Sequence, residues 1–148
     1  MTDARSELEG AGGLQEFNRK LIDEYRANGG KVTGPFAAAP LLLLTSTGAK
    51  SGLPRTIPIV YTGDGDRYII IASKGGAPTN PDWFHNLAAH PEATIEVGTE
   101  TISVDVTIPS GAERDRLFRA QADLMPNFDE YQEKTTRVIP VVALTPKR

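Results

Sequence analysis

Lys50, Ser51 and Arg55 lie in LLLLTSTGAKSGLPRTIP, Leu41 to Pro58, where an apolar run enters a Gly-rich connection and leaves into a second extended run. Two bases and a hydroxyl on a turn punctuated by Gly48, Gly52 and Pro54 fit an anion site. They fit equally a solvated hairpin whose bases keep a sheet edge soluble. The stretch is not a triphosphate-binding loop. That motif needs Gly directly before its Lys and another five residues earlier, where this chain has Ala49 and Thr45. Ser73-Lys74-Gly75-Gly76 is a second Gly-rich basic loop, and glycine leaves its amides open to an anion or to close approach by a ring.

Other chemistries find little footing. His85 and His90 sit five residues apart on one predicted helix, so they diverge by about 140° and cannot share a metal ion. Ser73 beside Lys74 is no catalytic dyad, because neighbours on a strand face opposite ways. No G-x-S-x-G elbow occurs. Asp64 and Asp66 read as turn residues rather than as an acid pair. Bases, glycines and aromatics remain, without proton-transfer machinery, a combination that suits an enzyme whose cofactor carries the reaction.

The elements that must position these residues follow from periodicity. Met1 to Gly13 reads as a flexible start, and residues 14–148 as one domain. Leu14, Phe17, Leu21, Ile22 and Tyr25 recur at helical spacing up to Gly29-Gly30. That stripe fits a helix capping the fold, or one that also leans on a membrane or a lipophilic substrate. The Leu41–Leu44 run suits a strand buried on both faces. Ile57–Thr62 follows as a strand, with Pro58 marking an edge or bulge. Gly63-Asp64-Gly65-Asp66 is a hairpin turn, and Arg67–Ala72 a third strand. Asn80 is the expected N-cap of a helix that starts at Pro81 and ends near His90. Ala93–Val97 and Thr101–Ile108 form a hairpin. Ser110 and Glu113 form a capping box for a helix ending at Leu124, Asn127 caps a short piece carrying Phe128 and Tyr131, and Val138–Thr145 is the last strand. The expected fold is α+β, mainly β: an antiparallel barrel of about six strands with peripheral helices.

Composition sets the bounds. With 148 residues, 39% hydrophobic and 24% charged, the chain fits a single soluble globular domain. Nineteen acids against 16 bases give a net charge of −3, so nothing draws it to nucleic acid as a whole. The absence of cysteine removes disulfides, thiol catalysis and thiolate metal sites. No apolar run approaches the ~20 residues of a membrane span and no signal peptide opens the chain, so the expected compartment is the cytoplasm.

Three segments in order, LLLLTSTGAKSGLPRTIP, YIIIASKGGAPTNPDWFHNL and YQEKTTRVIPVVAL, resemble the deazaflavin-dependent nitroreductases, also described as F420H2-dependent quinone reductases. The resemblance runs from about Pro40 to Pro146. It implies a split β-barrel related to flavin-binding pyridoxamine-phosphate-oxidase-like proteins, with coenzyme F420 as cofactor and FMN as the alternative. On that resemblance, Lys50, Ser51 and Arg55 hold the coenzyme's phosphate and polyglutamate tail, and Pro58 lies near its ring. Ala72, Ser73, Lys74, Gly75 and Gly76 hold ring and tail, while Trp83 and Asn86 start the helix that closes this side. The implied reaction is hydride transfer to a flat, electron-poor acceptor, with Ser73 and Tyr131 as candidate donors to the developing oxyanion. Phe17, Met125, Phe128 and Tyr131 are the candidate acceptor pocket. Relatives that reduce nitroimidazole prodrugs carry several tyrosines where this chain has Met125 and Phe128, which turns the expectation away from those prodrugs and toward a quinone or another flat activated acceptor, whether nitroaromatic, enone or lactone. A non-catalytic carrier of F420 or of a lipophile, peripheral contact with the inner membrane face, and a monomer or a homodimer all stay open.

Overall fold

The computed structural model describes residues 13–147, so the Met1–Gly13 start lies outside it except for Gly13, the first residue of helix α1 (Gly13–Ala27). A single 3-10 turn, Gly34–Phe36, leads into β1 (Leu41–Thr47) and β2 (Pro54–Val60), then β3 (Thr62–Asp64) and β4 (Arg67–Ile71). A second 3-10 turn, Lys74–Gly76, precedes α2 (Asp82–Ala89), followed by β5 (Glu92–Val97) and β6 (Glu100–Thr107). Helices α3 (Gly111–Leu124) and α4 (Asn127–Glu133) lead to β7 (Val141–Pro146). None of these helices is long and apolar enough to cross a membrane.

All strand pairs are antiparallel, in the order β2-β1-β5-β6-β7-β4-β3. The count is seven rather than six, because the run expected as one strand divides at Tyr61. Its first part pairs with β1 and its short continuation pairs with β4. That split closes the fold. The edges of a flat seven-stranded sheet stand about 29 Å apart, six spacings of about 4.8 Å. Val60 and Thr62 belong to opposite edges, yet two residues of chain reach only about 7 Å. The sheet therefore curls into a barrel, as the sequence pattern led us to expect.

Burial follows the alternation of side chains. Leu42, Leu44, Ile70, Ile95, Val104, Val142 and Leu144 fill the interior together with Leu87 of α2, which plugs the barrel. Leu41 and Leu43 face outward beneath Leu21 and Tyr25 of α1. Ile69, Ile71, Val141 and Ala143 face outward beneath Leu117, Phe118 and Phe128 of α3 and α4. Both Leu and Ile runs are thus buried on two faces, which explains why they are unbroken. Pro58 sits on edge strand β2 opposite Leu43, where its missing N–H removes no ladder bond to an outer neighbour.

The helix ends depart from the sequence pattern. Pro81 rather than Asn80 occupies the N-cap of α2, and the Asn80 Oδ1 instead accepts from Arg137 (2.8 Å). Ser110 does cap α3, but without a side-chain bond, since Glu113 is drawn to Arg67 and Arg116. Pro126 takes the N-cap of α4, and the Asn127 amide turns to the Tyr131 hydroxyl. For Asn80 and Glu113 a longer-range partner outcompetes the local cap, and for Asn127 a partner one turn further along its own helix does.

Candidate functional site

Strands β1 and β4 run in the same direction, so the β1–β2 loop and the loop after β4 emerge on one rim. The first loop folds on itself: the Gly48 N–H bonds the Leu53 carbonyl (2.8 Å), the Gly52 N–H bonds the Gly48 carbonyl (2.9 Å), and Ser51 Oγ accepts from the Leu53 N–H (3.2 Å). Gly48 is needed here, because a Cβ would lie 2.5 Å from Ser51 Oγ and 3.7 Å from Arg55 Nε. Ser51 and Arg55 thus converge over one glycine. Lys50 and Arg55 are exposed and have no ion-pair partner among the described residues. Asn86 of α2 ties this loop to the helix: its Oδ1 accepts from the Ala49 N–H (2.9 Å) and its Nδ2 lies 3.4 Å from Ser46 Oγ. Trp83 packs, half-buried, against the barrel interior.

The second loop is unusual in its backbone. Lys74 (φ 47°), Gly75 (64°) and Gly76 (85°) are successively left-handed, and Lys74 is the one non-glycine residue in that region among those described. Ser73 just before is right-handed, so the pair forms the alternation that gathers backbone N–H groups into an anion-binding nest. A Cβ on Gly76 would stand 2.7 Å from the Tyr131 carbonyl oxygen and 2.9 Å from Lys134 Cβ, so only glycine allows α4 to close on the loop. Lys74 Nζ reaches Thr79 Oγ1 (3.2 Å), and the Ser73 hydroxyl has no partner in the chain among the described residues.

Sequence reasoning missed Arg137. Its guanidinium donates to the carbonyls of Ala72 (3.2 Å), Ser73 (2.8 Å) and Ala77 (2.9 Å) and to Asn80 Oδ1 (2.8 Å). Burial pulls its pKa below the ordinary guanidinium value, but it stays charged. Gln132 of α4 extends the tie: its Nε2 donates to the Arg137 carbonyl (2.8 Å), and its Oε1 accepts from Arg114 (2.9 Å) and from the Ile139 N–H (3.0 Å). Nothing local marks Arg137, since its acceptors lie about sixty residues upstream; its place in the YQEKTTRVIPVVAL segment was the signal to follow.

The remaining predicted residues divide. Tyr131 is half-buried, edge-on to Phe128 at 5.5 Å between ring centres, and its hydroxyl accepts from Asn127 Nδ2 (3.0 Å). Met125 packs in the same cluster, beside a fully buried Gln121 whose Nε2 lies 3.4 Å from the Met125 sulfur. Phe128 is itself core, only 8% exposed. Phe17 is not brought to this group: it packs on Phe36 and the α1 cluster over Leu41 and Leu43. Tyr25 anchors that cluster, its hydroxyl accepting from the Gly98 N–H (2.8 Å) and lying 3.0 Å from the Leu41 carbonyl oxygen; burial pushes its pKa up.

The family model of the F420H(2)-dependent quinone reductases matches residues 17–146. The F420H(2)-dependent quinone reductase Rv1261c of Mycobacterium tuberculosis is 42% identical, over 82% of this chain and 84% of its own length. A solved F420-H2 dependent reductase, FDR-A, is 35% identical with a TM-score of 0.66, covering 71% of this chain and 93% of that one. A pyridoxamine 5'-phosphate oxidase-like structure from Listeria innocua, 12% identical with a TM-score of 0.54 over 74% of this chain and 85% of that one, shares the fold alone. The match spans both rim loops, α2, α4 and the Arg137 segment. The chain belongs to the F420H(2)-dependent quinone reductase family.

Proposed function

We propose that this chain uses reduced coenzyme F420 to reduce a quinone or another flat, activated acceptor, at the rim where the two Gly-rich loops meet α2. An F420-dependent reductase is what its family membership makes it; the acceptor and the residue roles are our reading. One observation carries it: Arg55 converges with Ser51 on a loop that also carries exposed Lys50, neither base having an ion-pair partner among the described residues, and a left-handed nest backed by a half-buried guanidinium forms the other. This donor set fits a coenzyme with a flat ring and an anionic tail.

When bound, the coenzyme supplies a hydride from its deazaflavin ring. Lys50, Ser51 and Arg55 hold phosphate and tail carboxylates by charge-assisted hydrogen bonds. Pro58 and Ala72 would flank the ring, Ala72 by its backbone since its side chain is buried, Ser73 to Gly76 would offer it backbone and hydroxyl donors, and Trp83 and Asn86 keep α2 closed over the barrel. Because the Tyr131 hydroxyl already accepts from Asn127, its own proton is available to a developing oxyanion. Ser73 is the second donor. Met125 beside Tyr131 is the adaptable apolar wall, and Phe128 supports that wall from the core. Alignment of donor and acceptor is the largest contribution open to such a site, roughly 7 to 11 kcal/mol at best.

The test is to titrate the protein with oxidised F420 and with FMN by fluorescence, then to follow oxidation of reduced F420 with menadione, an enone and a nitroaromatic. F420 binding with menadione-dependent turnover is expected. Tight FMN binding without F420 binding would sink the proposal, and F420 binding without turnover on any acceptor would make the chain a carrier.

A further inference from the structure

Arg137 poses a problem in electrostatics. Its half-buried guanidinium has no carboxylate partner among the described residues, an arrangement in which dipoles must take the place of the counter-ion. The replacements are three carbonyls and one amide oxygen, all from residues 72–80, so a single side chain gathers the whole connection from β4 to α2. No other side chain donates to the Ala72, Ser73 or Ala77 carbonyls among the described residues.

The geometry of the peptide unit turns that gathering into something functional. In a planar trans peptide the C=O and the following N–H point in opposite directions. Carbonyls of Ala72 and Ser73 aimed at Arg137 therefore force the N–H groups of Ser73 and Lys74 to point away from it. Without the guanidinium, the Ala72–Ser73 peptide is free to rotate and present its negative carbonyl end instead, and the Ser73–Lys74 peptide is held only by the Gly76 N–H on the Ser73 carbonyl (2.9 Å). Left-handed Lys74 also relaxes more readily to an ordinary conformation, since that region disfavours a residue with a side chain.

We infer that Arg137 is the positioning residue of the coenzyme site: by pinning the Ala72 and Ser73 carbonyls it presents the Ser73 and Lys74 amides, with the Ser73 hydroxyl, as a preorganised donor set for F420. The inference rests on the F420 reading. The same side chain keeps the loop in register with the acceptor wall, since Gln132 holds the Arg137 carbonyl while Gly76 packs on Tyr131. A lysine cannot replace it, because an ammonium has no planar fork to span three peptides.

The experiment compares wild type, Arg137→Lys, Arg137→Ala and Asn80→Ala. Its readouts are the Kd for F420, hydrogen exchange at the Gly76 and Ala77 amides without coenzyme, and exchange in β4 and β7. The Gly76 and Ala77 amides close the loop's own hydrogen bonds, to the Ser73 and Lys74 carbonyls. Expected are a Kd raised about tenfold in Arg137→Lys and about a hundredfold in Arg137→Ala, with partial recovery of the latter by added guanidinium. Loop exchange quickens while exchange in β4 and β7 holds; a merely structural role would quicken all three. Asn80→Ala falls between wild type and Arg137→Lys, and with Arg137→Lys it carries the test if Arg137→Ala does not fold. Wild-type Kd and wild-type loop exchange in folded Arg137→Lys and Asn80→Ala would overturn the inference. Faster loop exchange in a protein whose wild type binds no F420 would support the pinning and sink the coenzyme reading instead.

Discussion

The two ends of β4 handle positive charge in opposite ways. At its start, Arg67 contacts Asp64 and pairs with Glu113 (3.0 Å), while Arg116 pairs with both acids (3.2 and 3.1 Å), so the cluster neutralises itself. At its far end, Lys74 and Arg137 meet only neutral oxygens, and Lys50 and Arg55 across the rim meet no carboxylate among the described residues. The first arrangement spends its charge within the fold. The second leaves it for an anion that arrives from outside, and this difference separates a structural basic residue from a binding one better than composition can.

The largest effect expected from that contrast is on binding. Replacing both Lys50 and Arg55 by alanine should weaken F420 binding about 10²- to 10³-fold, and more at low salt than at high. Arg116→Ala, which removes a cation from the paired cluster, should leave Kd unchanged. Fluorescence titration across ionic strengths checks both, and equal effects of the two changes would abolish the distinction. A smaller effect is expected at the acceptor side: Tyr131→Phe should lower kcat about tenfold with little change in coenzyme Kd, since water substitutes in part for the lost donor. Stopped-flow oxidation of prebound reduced coenzyme measures this, and a Kd effect with kcat intact would move Tyr131 to the binding side.

The smallest effect concerns the paired cluster. The guanidinium of Arg116, with that of Arg67, holds the Asp64 carboxyl down at about 2. A depressed carboxylate stabilises the fold above its unfolded value, near 3.9, and that contribution fades as pH falls from about 4 towards 2. Asp64→Asn should therefore lower the thermal midpoint slightly at neutral pH, with the gap to wild type closing over that acid window. A gap that stays constant down to pH 2 would show that the ion pairs contribute nothing measurable, as many exposed pairs do.

What the sequence made legible was whatever depends on nearby residues. The Leu41–Leu44 run announced a strand buried on both faces, and the two Gly-rich basic loops stood out by composition. Closure of the barrel was not legible in detail, because it depends on one tyrosine where a strand changes partners without a turn to mark the spot. The caps at Asn80 and Asn127, and the capping box though not the N-cap position at Ser110, were misread for a related reason: each side chain, or its expected partner, had a competing contact that local pattern does not reveal. Phe17 belonged to a helical stripe as predicted, but the stripe faces Leu41 and Leu43 rather than Met125. Arg137 was hidden by distance alone.

The strand order also governs when this barrel can form during synthesis. The hairpins β1–β2, β3–β4 and β5–β6 are local and can pair within microseconds of emerging. Strand β7, made last of the seven, sits between β6 and β4 and joins them. Until Val141–Pro146 inserts, β4 and β6 each carry an unpaired edge, and Ile69 and Ile71 wait for half of their cover. The nascent protein therefore keeps the Ile69–Ile71 run of β4 exposed until β7 inserts, which makes β7 the step at which folding competes with aggregation.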